Sequence, residues 1–167
     1  MKRVMLLILS LCLIFCICGC NSASVSDTQK TDTPTDEENV FKLGEEIFIN
    51  KDEGEYKFKI TKVEETAERN EFSDKTPNRV IIISYEYENI SYSTDLFISD
   101  MNFKAYDKDN NSMDTYPASI EYADSISAGR KTSGQMAFGL NSDKNYVELE
   151  FYDNMFLDSD CKIVLEW

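Results

Sequence analysis

From Val40 onward the hydrophobic residues recur at every second position, the period of a strand with one buried face. Tyr56, Phe58 and Ile60 alternate with Lys57, Lys59 and Thr61, and Val147, Leu149 and Phe151 alternate with Glu148, Glu150 and Tyr152. Met136, Phe138 and Leu140 repeat the pattern. Val80–Ile83 is instead an unbroken β-branched run, as in a central strand covered on both faces, before alternation resumes through Tyr85 and Tyr87. These runs predict strands near 41–49, 55–64, 79–89, 96–106, 113–126 (broken at Pro117), 133–140, 146–152 and 161–167. Seven or eight short strands separated by turn residues, with no long helical period, predict an all-β sandwich. The 128 residues from Val40 to Trp167 suffice for one domain that buries about two thirds of its unfolded surface.

Two segments of different character precede this domain. Lys2 and Arg3 lead into an apolar run from Val4 to Ile17, broken only by Ser10 and followed by Gly19 and Cys20. That is the charged, apolar and cleavage-region order of a secretory signal. The run gives way to Asn21 and Ser22 before reaching the roughly 20 apolar residues a membrane span needs. Ile17-Cys-Gly-Cys20 resembles the lipobox of bacterial lipoproteins, with Cys18 where Ala or Ser is commoner. The resemblance implies cleavage between Gly19 and Cys20, removal of residues 1–19, and a diacylglyceryl group on the Cys20 thiol. A further acyl chain would give the multi-chain anchoring that one chain, at about 0.8 kcal/mol per methylene, does not sustain. The expected location is the cell membrane, with the domain lipid-anchored and facing outside the cytoplasm. Residues 20–39 hold one large aliphatic residue, Val25, and no aromatic. They read as a flexible, acidic, Ser/Thr-rich tether with a reach of roughly 25 Å.

Charge narrows the partners. The chain has 31 acidic and 17 basic residues, and removing Lys2 and Arg3 with no acid takes the formal charge from −14 to −16. Such a surface repels nucleic acid and bare anionic lipid, leaving cations, basic peptides, an envelope protein or a neutral glycan as partners. Histidine is absent, which removes Ser/His/Asp triads, Cys/His dyads, His-rich zinc sites and the usual pH switch. Cys12, Cys16 and Cys18 lie in the signal, so Cys161 has no partner once Cys20 is lipidated. In the strand-like run Cys161–Trp167 it is expected as a small buried apolar residue rather than a reactive thiol.

Three groups of residues carry candidate chemistry. Asp107, Asp109 and Asn111 match the first three oxygen-ligand positions of a calcium loop, but Ser112 replaces the required glycine and Ala118 the bidentate glutamate. A weak calcium site is the sharper reading, a hairpin turn the simpler one. No other cofactor is expected beyond the lipid on Cys20. Tyr85 and Tyr87 continue the core face, whereas Tyr92 in Ile90–Thr94 is the better candidate for partner binding at the surface. Tyr116 and Tyr122 sit beside loops. Glu148 and Glu150 share a strand face and would suit acid and base work only inside a cleft.

Four blocks of the domain resemble one family. They are Phe41-Lys-Leu-Gly44-Glu-Glu, Tyr56-Lys-Phe-Lys-Ile-Thr-Lys-Val-Glu-Glu65, Ile81-Ile-Ile-Ser-Tyr-Glu-Tyr-Glu-Asn89-Ile-Ser and Ser127-Ala-Gly129-Arg-Lys-Thr-Ser-Gly134-Gln-Met-Ala-Phe138. Together they look like the signatures of an uncharacterised immunoglobulin-like lipoprotein domain, a domain of unknown function whose members often carry the label telomeric repeat-binding factor. Ala128 departs from the pattern, in which proline commonly precedes the glycine. The resemblance implies an immunoglobulin-like sandwich similar to that of a secreted immunoprotective antigen, and it transfers no catalytic residue. Gly129 and Gly134 are expected where positive φ or close backbone approach is needed, and Asn89 where a turn closes. The leading functional expectation is a non-enzymatic, membrane-anchored binding or adaptor module. A structural or antigen-like coat protein stands second and a cell-wall hydrolase third.

Overall fold

The computed structural model describes residues 39–167. The expected signal segment 1–19, Gly19 and Cys20, and all of the tether except Asn39 lie outside the described residues. Nine strands follow: β1 (Val40–Lys42), β2 (Ile47–Lys51), β3 (Gly54–Thr66), β4 (Arg79–Asn89), β5 (Phe103–Tyr106), β6 (Ser112–Met113), β7 (Arg130–Leu140), β8 (Tyr146–Phe151) and β9 (Cys161–Glu166). They form a five-stranded sheet in the order β1-β9-β8-β5-β6 and a four-stranded sheet in the order β2-β3-β4-β7. All pairings are antiparallel except β1 with β9. The domain is an all-β sandwich, as the alternation predicts, and it is immunoglobulin-like, as the resemblance implies.

The inner faces supply the core. Tyr56, Phe58 and Ile60 from β3, Ile81, Ile83, Tyr85 and Tyr87 from β4, and Met136, Phe138 and Leu140 from β7 meet Val147, Leu149 and Phe151 from β8 and Ile163 and Leu165 from β9. Phe58 and Phe151 lie 4.3 Å apart between ring centroids across the sheets. A bulge between Ile60 and Lys62 shifts the register of β3 on β4. The extra residue returns the odd-numbered Val63 to the inner face, which a strict period of two would deny it. Cys161 is buried in this core and free, and burial, with Asp160 adding to it, pushes its thiol up to about 12.

Three expected strands are corrected. The 41–49 run is two strands in different sheets, because Gly44 at φ 87° turns the chain between them. Within 96–106 only Phe103–Tyr106 is strand; Leu96 makes an isolated bridge to Ile126, and a 3-10 turn at Asp100–Asn102 is capped by Ser99. Within 113–126 only Met113 belongs to a strand, β6. The remainder runs along the free edge of β7, where Tyr116 N–H donates to Ala137 O (2.8 Å) and Gln135 N–H to Glu121 O (2.8 Å). Pro117 has no N–H to continue a ladder, so this stretch covers the edge irregularly instead of extending the sheet.

Strand direction decides what gathers at each end. β2, β4 and β8 run into one end, and β3, β5, β7 and β9 leave it. The 52–53 turn, the 90–102 segment, the turn at Gly129 and the 152–160 loop therefore share that end. Asn39 joins them, its carbonyl accepting the Lys162 N–H at 2.9 Å. Asn89 ties part of this end together: fully buried, it donates to Thr94 O (3.1 Å) and Ile126 O (3.2 Å) and accepts the Tyr92 N–H (2.8 Å). Replacing Asn89 with Ala leaves those groups unpaired in the interior, so it is expected to cost roughly 2–4 kcal/mol in chemical denaturation. A loss below about 1 kcal/mol would show that the end is held by other contacts.

Candidate functional site

The loop-rich end is built on a polar cluster that closes the core. Tyr56 points along the inner face of β3 until its hydroxyl donates to the Asp153 carboxylate. Lys51 Nζ, at the end of β2, lies 2.6 Å from Asp160 Oδ1 and 3.8 Å from Asp153 Oδ2. The Asp153 N–H donates to Asp160 Oδ2 at 2.8 Å. Burial first, and then the bond to Asp153, hold the Tyr56 hydroxyl far above the usual tyrosine range, so it remains a donor. The bond to Asp160 raises Lys51 against the opposing effect of burial, with Asp160 and Asp153 adding charge attraction. Both aspartates are therefore turned inward and compensated.

Beyond this cluster the β8–β9 loop is fixed in shape but presents an apolar tip. Asn154 Oδ1 accepts the Phe156 N–H at 3.0 Å, and Asn154 O accepts the Leu157 N–H at 3.0 Å, an Asx turn that projects the following side chains outward. Phe156 is 88% exposed, Leu157 67% and Met155 51%. The 90–102 segment stands beside it, since Tyr152 N–H donates to Asn102 O (2.8 Å) and Asn102 Nδ2 to Tyr152 O (3.0 Å). Met101 and Phe97 of that segment are exposed as well. Contiguous exposed apolar groups on a polar protein mark a contact surface. The outer sheet faces differ: Lys57 pairs with Glu46 (3.0 Å) and Glu88 (3.6 Å), and Lys59 with Glu86 (2.9 Å), along an open groove of about 460 Å³. Exposed pairs of this kind are worth little and define no reactive centre.

The residues singled out from sequence fall in different places. Tyr92 lies at the loop-rich end, but half-buried, its ring packed edge-on to Tyr56 with centroids 5.6 Å apart at 87°. Tyr85 and Tyr87 are core, Tyr116 is buried and Tyr122 is exposed. Glu148 and Glu150 lie on an outer face, where Glu150 accepts the Tyr152 hydroxyl (2.7 Å) and Glu148 sits 3.8 Å from Lys162. Asp107 is 5% exposed, and its carboxylate accepts the Asp109 and Asn111 N–H groups (both 2.9 Å) and the Asn111 side-chain amide (3.0 and 3.1 Å). The oxygens a cation would use thus hold the turn, with Asn110 in the left-handed region at φ 62°. Among the described residues no group of three or more His, Cys, Asp or Glu is placed to hold a metal. The Met155–Leu157 tip was not singled out from sequence. Its signal is there, in three consecutive apolar residues directly after a turn-forming Asn and outside any alternating run.

Fold and site together define an immunoglobulin-like sandwich with an exposed apolar tip at its loop-rich end. The chain belongs to the family described as a domain of unknown function, DUF4352, whose model matches residues 42–162. No curated protein matches it. Among solved structures it is similar to MPT63, a secreted protein from Mycobacterium tuberculosis, at TM-score 0.58 and 14% identity, over 77% of this chain and 96% of that one. At that identity the likeness establishes the fold. Among the described residues no helix is long and apolar enough to cross a membrane.

Two outcomes test the polar clusters. Burial opposes ionisation of Asp107, but the hydrogen bonds from Asn111 and Asp109 outweigh it and hold the carboxyl below its ordinary value. A depressed folded pKa stabilises the fold above the unfolded value, about 4, and that contribution is lost as pH falls through the folded value. Asp107→Asn is therefore expected to be less stable than the parent at neutral pH, with the gap closing below about pH 4 in acid titrations followed by circular dichroism; a constant gap would remove the linkage. Tyr56→Phe deletes a hydroxyl bonded to a carboxylate and should cost about 1.5–3 kcal/mol in urea denaturation.

Proposed function

We propose that this protein is a lipid-anchored module on the outer side of a bacterial membrane, which contacts other components of the envelope and catalyses no reaction. The observation that carries the reading is the apolar end of the sandwich, because the chain leading from Cys20 enters the domain there, at Asn39. The lipobox-like Ile17–Cys20, the signal-like residues before it and the acidic tether after it support the anchor. Fixed protonation in the polar cluster supports contact over catalysis: Tyr56 is held as a donor and Lys51 as a cation. Catalytic acids and bases are instead tuned towards the working pH.

Cys20→Ala tests the anchor. In cells fed a clickable palmitate analogue, the parent should label and fractionate with membranes, while the variant should lose the label and accumulate as a precursor that retains residues 1–19. Undiminished labelling of the variant would overturn the reading.

A further inference from the structure

We infer that the Met155-Phe156-Leu157 tip seats in the lipid surface to which the protein is anchored, so that the domain stands on that surface by its loop-rich end. The inference rests on the anchoring reading above and adds the occupant of the apolar tip.

Four observations lead to a bilayer. First, the tether joins the domain next to the tip: Asn39 O accepts the N–H of Lys162, and Asp160, two residues earlier, ends the loop. A tether of this length has a reach of only roughly 25 Å, so this end is the one held near the anchor. Second, the apolar side chains stand on a convex, hydrogen-bonded Asx turn. A fluid apolar phase accepts such a projection without a matching pocket. Third, Asp153 and Asp160 at the base of the loop are turned inward to Tyr56 and Lys51, which leaves Asp158 as the loop's outward acid. Fourth, without Lys2 and Arg3 the formal charge moves from −14 to −16, which disfavours membrane binding by the free domain and makes the contact depend on the tether. Three side chains give only weak contact alone, but a short tether makes the encounter intramolecular, at an effective concentration in the millimolar range. The outward acid beside the tip, Asp158, and the acidic charge of the whole chain set the lipid preference: contact is strongest on zwitterionic headgroups and weaker on anionic ones at low salt.

The chain from Cys20 onward, coupled through the Cys20 thiol to a maleimide-headgroup lipid in phosphatidylcholine vesicles, provides the test. Cys161 is buried with its thiol held high and does not compete for coupling. Phe156→Trp places a fluorophore at the tip, and Trp167, at the opposite end of the sandwich, serves as the internal reference in the parent. With brominated acyl chains the emission added by Phe156→Trp should shift to the blue and fall by roughly half, as for a side chain inserted at the headgroup boundary, while the parent's emission stays unchanged. Replacing part of the phosphatidylcholine with phosphatidylglycerol should restore emission at low salt, and high salt should reverse that recovery. Emission at 156 that is indifferent to bromination overturns the inference. So does a shift that depends on protein density rather than on bromination, which would assign the tip to a second copy of the chain. Because the coupling supplies the anchor chemically, a failure of natural lipidation in cells sinks the earlier reading without affecting this result.

Discussion

A buried tyrosine must carry its hydroxyl to an acceptor, and in this sandwich three of them reach acceptors outside the strands. Tyr56, Tyr85 and Tyr87 fill the inner face of the four-stranded sheet and are almost fully enclosed. Their hydroxyls bond Asp153, the Ile98 carbonyl (2.9 Å) and the Asp124 carbonyl (2.6 Å). Each acceptor lies on a different loop, so a requirement of the core fixes three loops in place. Gly134, opposite Tyr85 in the β4–β7 register, is part of the same arrangement. A Cβ there would stand 2.9 Å from the Tyr85 hydroxyl and 2.7 Å from the Ala123 Cβ. The glycine is thus required by the tyrosine and by the segment covering the β7 edge, through close approach and without positive φ.

Strands with an alternating pattern were legible because burial of one sheet face imposes it residue by residue. Gly44 was visible in the sequence, but its effect on the neighbouring strands depends on which sheet each side joins, a long-range fact. Leu96 and Ile126 are buried and bridged like strand residues. Their segments nevertheless serve as covers, because Pro117 and the capped turn at Ser99 interrupt the ladder. Apolar pattern reports burial, and burial under a loop leaves the same trace as burial in a sheet.

The candidate site was legible only in part, for the same reason. The sequence presents Tyr92 as a surface aromatic, but at the loop-rich end its ring packs on Tyr56 and is half-buried. Its value is in rigidifying the base of the contact end. The oxygen-rich run from Asp107 to Asn111 shows the converse ambiguity. Side-chain oxygens at alternate positions suit a cation or a turn equally, so spacing alone does not separate the two readings. The Asn111 side-chain amide and the N–H groups of Asn111 and Asp109 all bond the Asp107 carboxylate, and against the opposing effect of burial they lower its pKa.

The two outer faces and the loop-rich end divide the physical roles among themselves. The faces carry lysines and glutamates in cross-strand register, such as Lys57 opposite Glu88 and Lys59 opposite Glu86, which keeps each sheet solvated and gives no directional preference. The end carries the exposed Met155-Phe156-Leu157 tip on a framework stiffened by Asn89, Tyr56 and the Lys51 pairs. Because β1 is parallel to β9 and begins beside its start, the chain entering at Asn39 meets the domain at that same end. An antiparallel β1 in the same position would have brought the chain in at the opposite end. The direction of one three-residue strand therefore decides at which end of the sandwich the preceding chain enters.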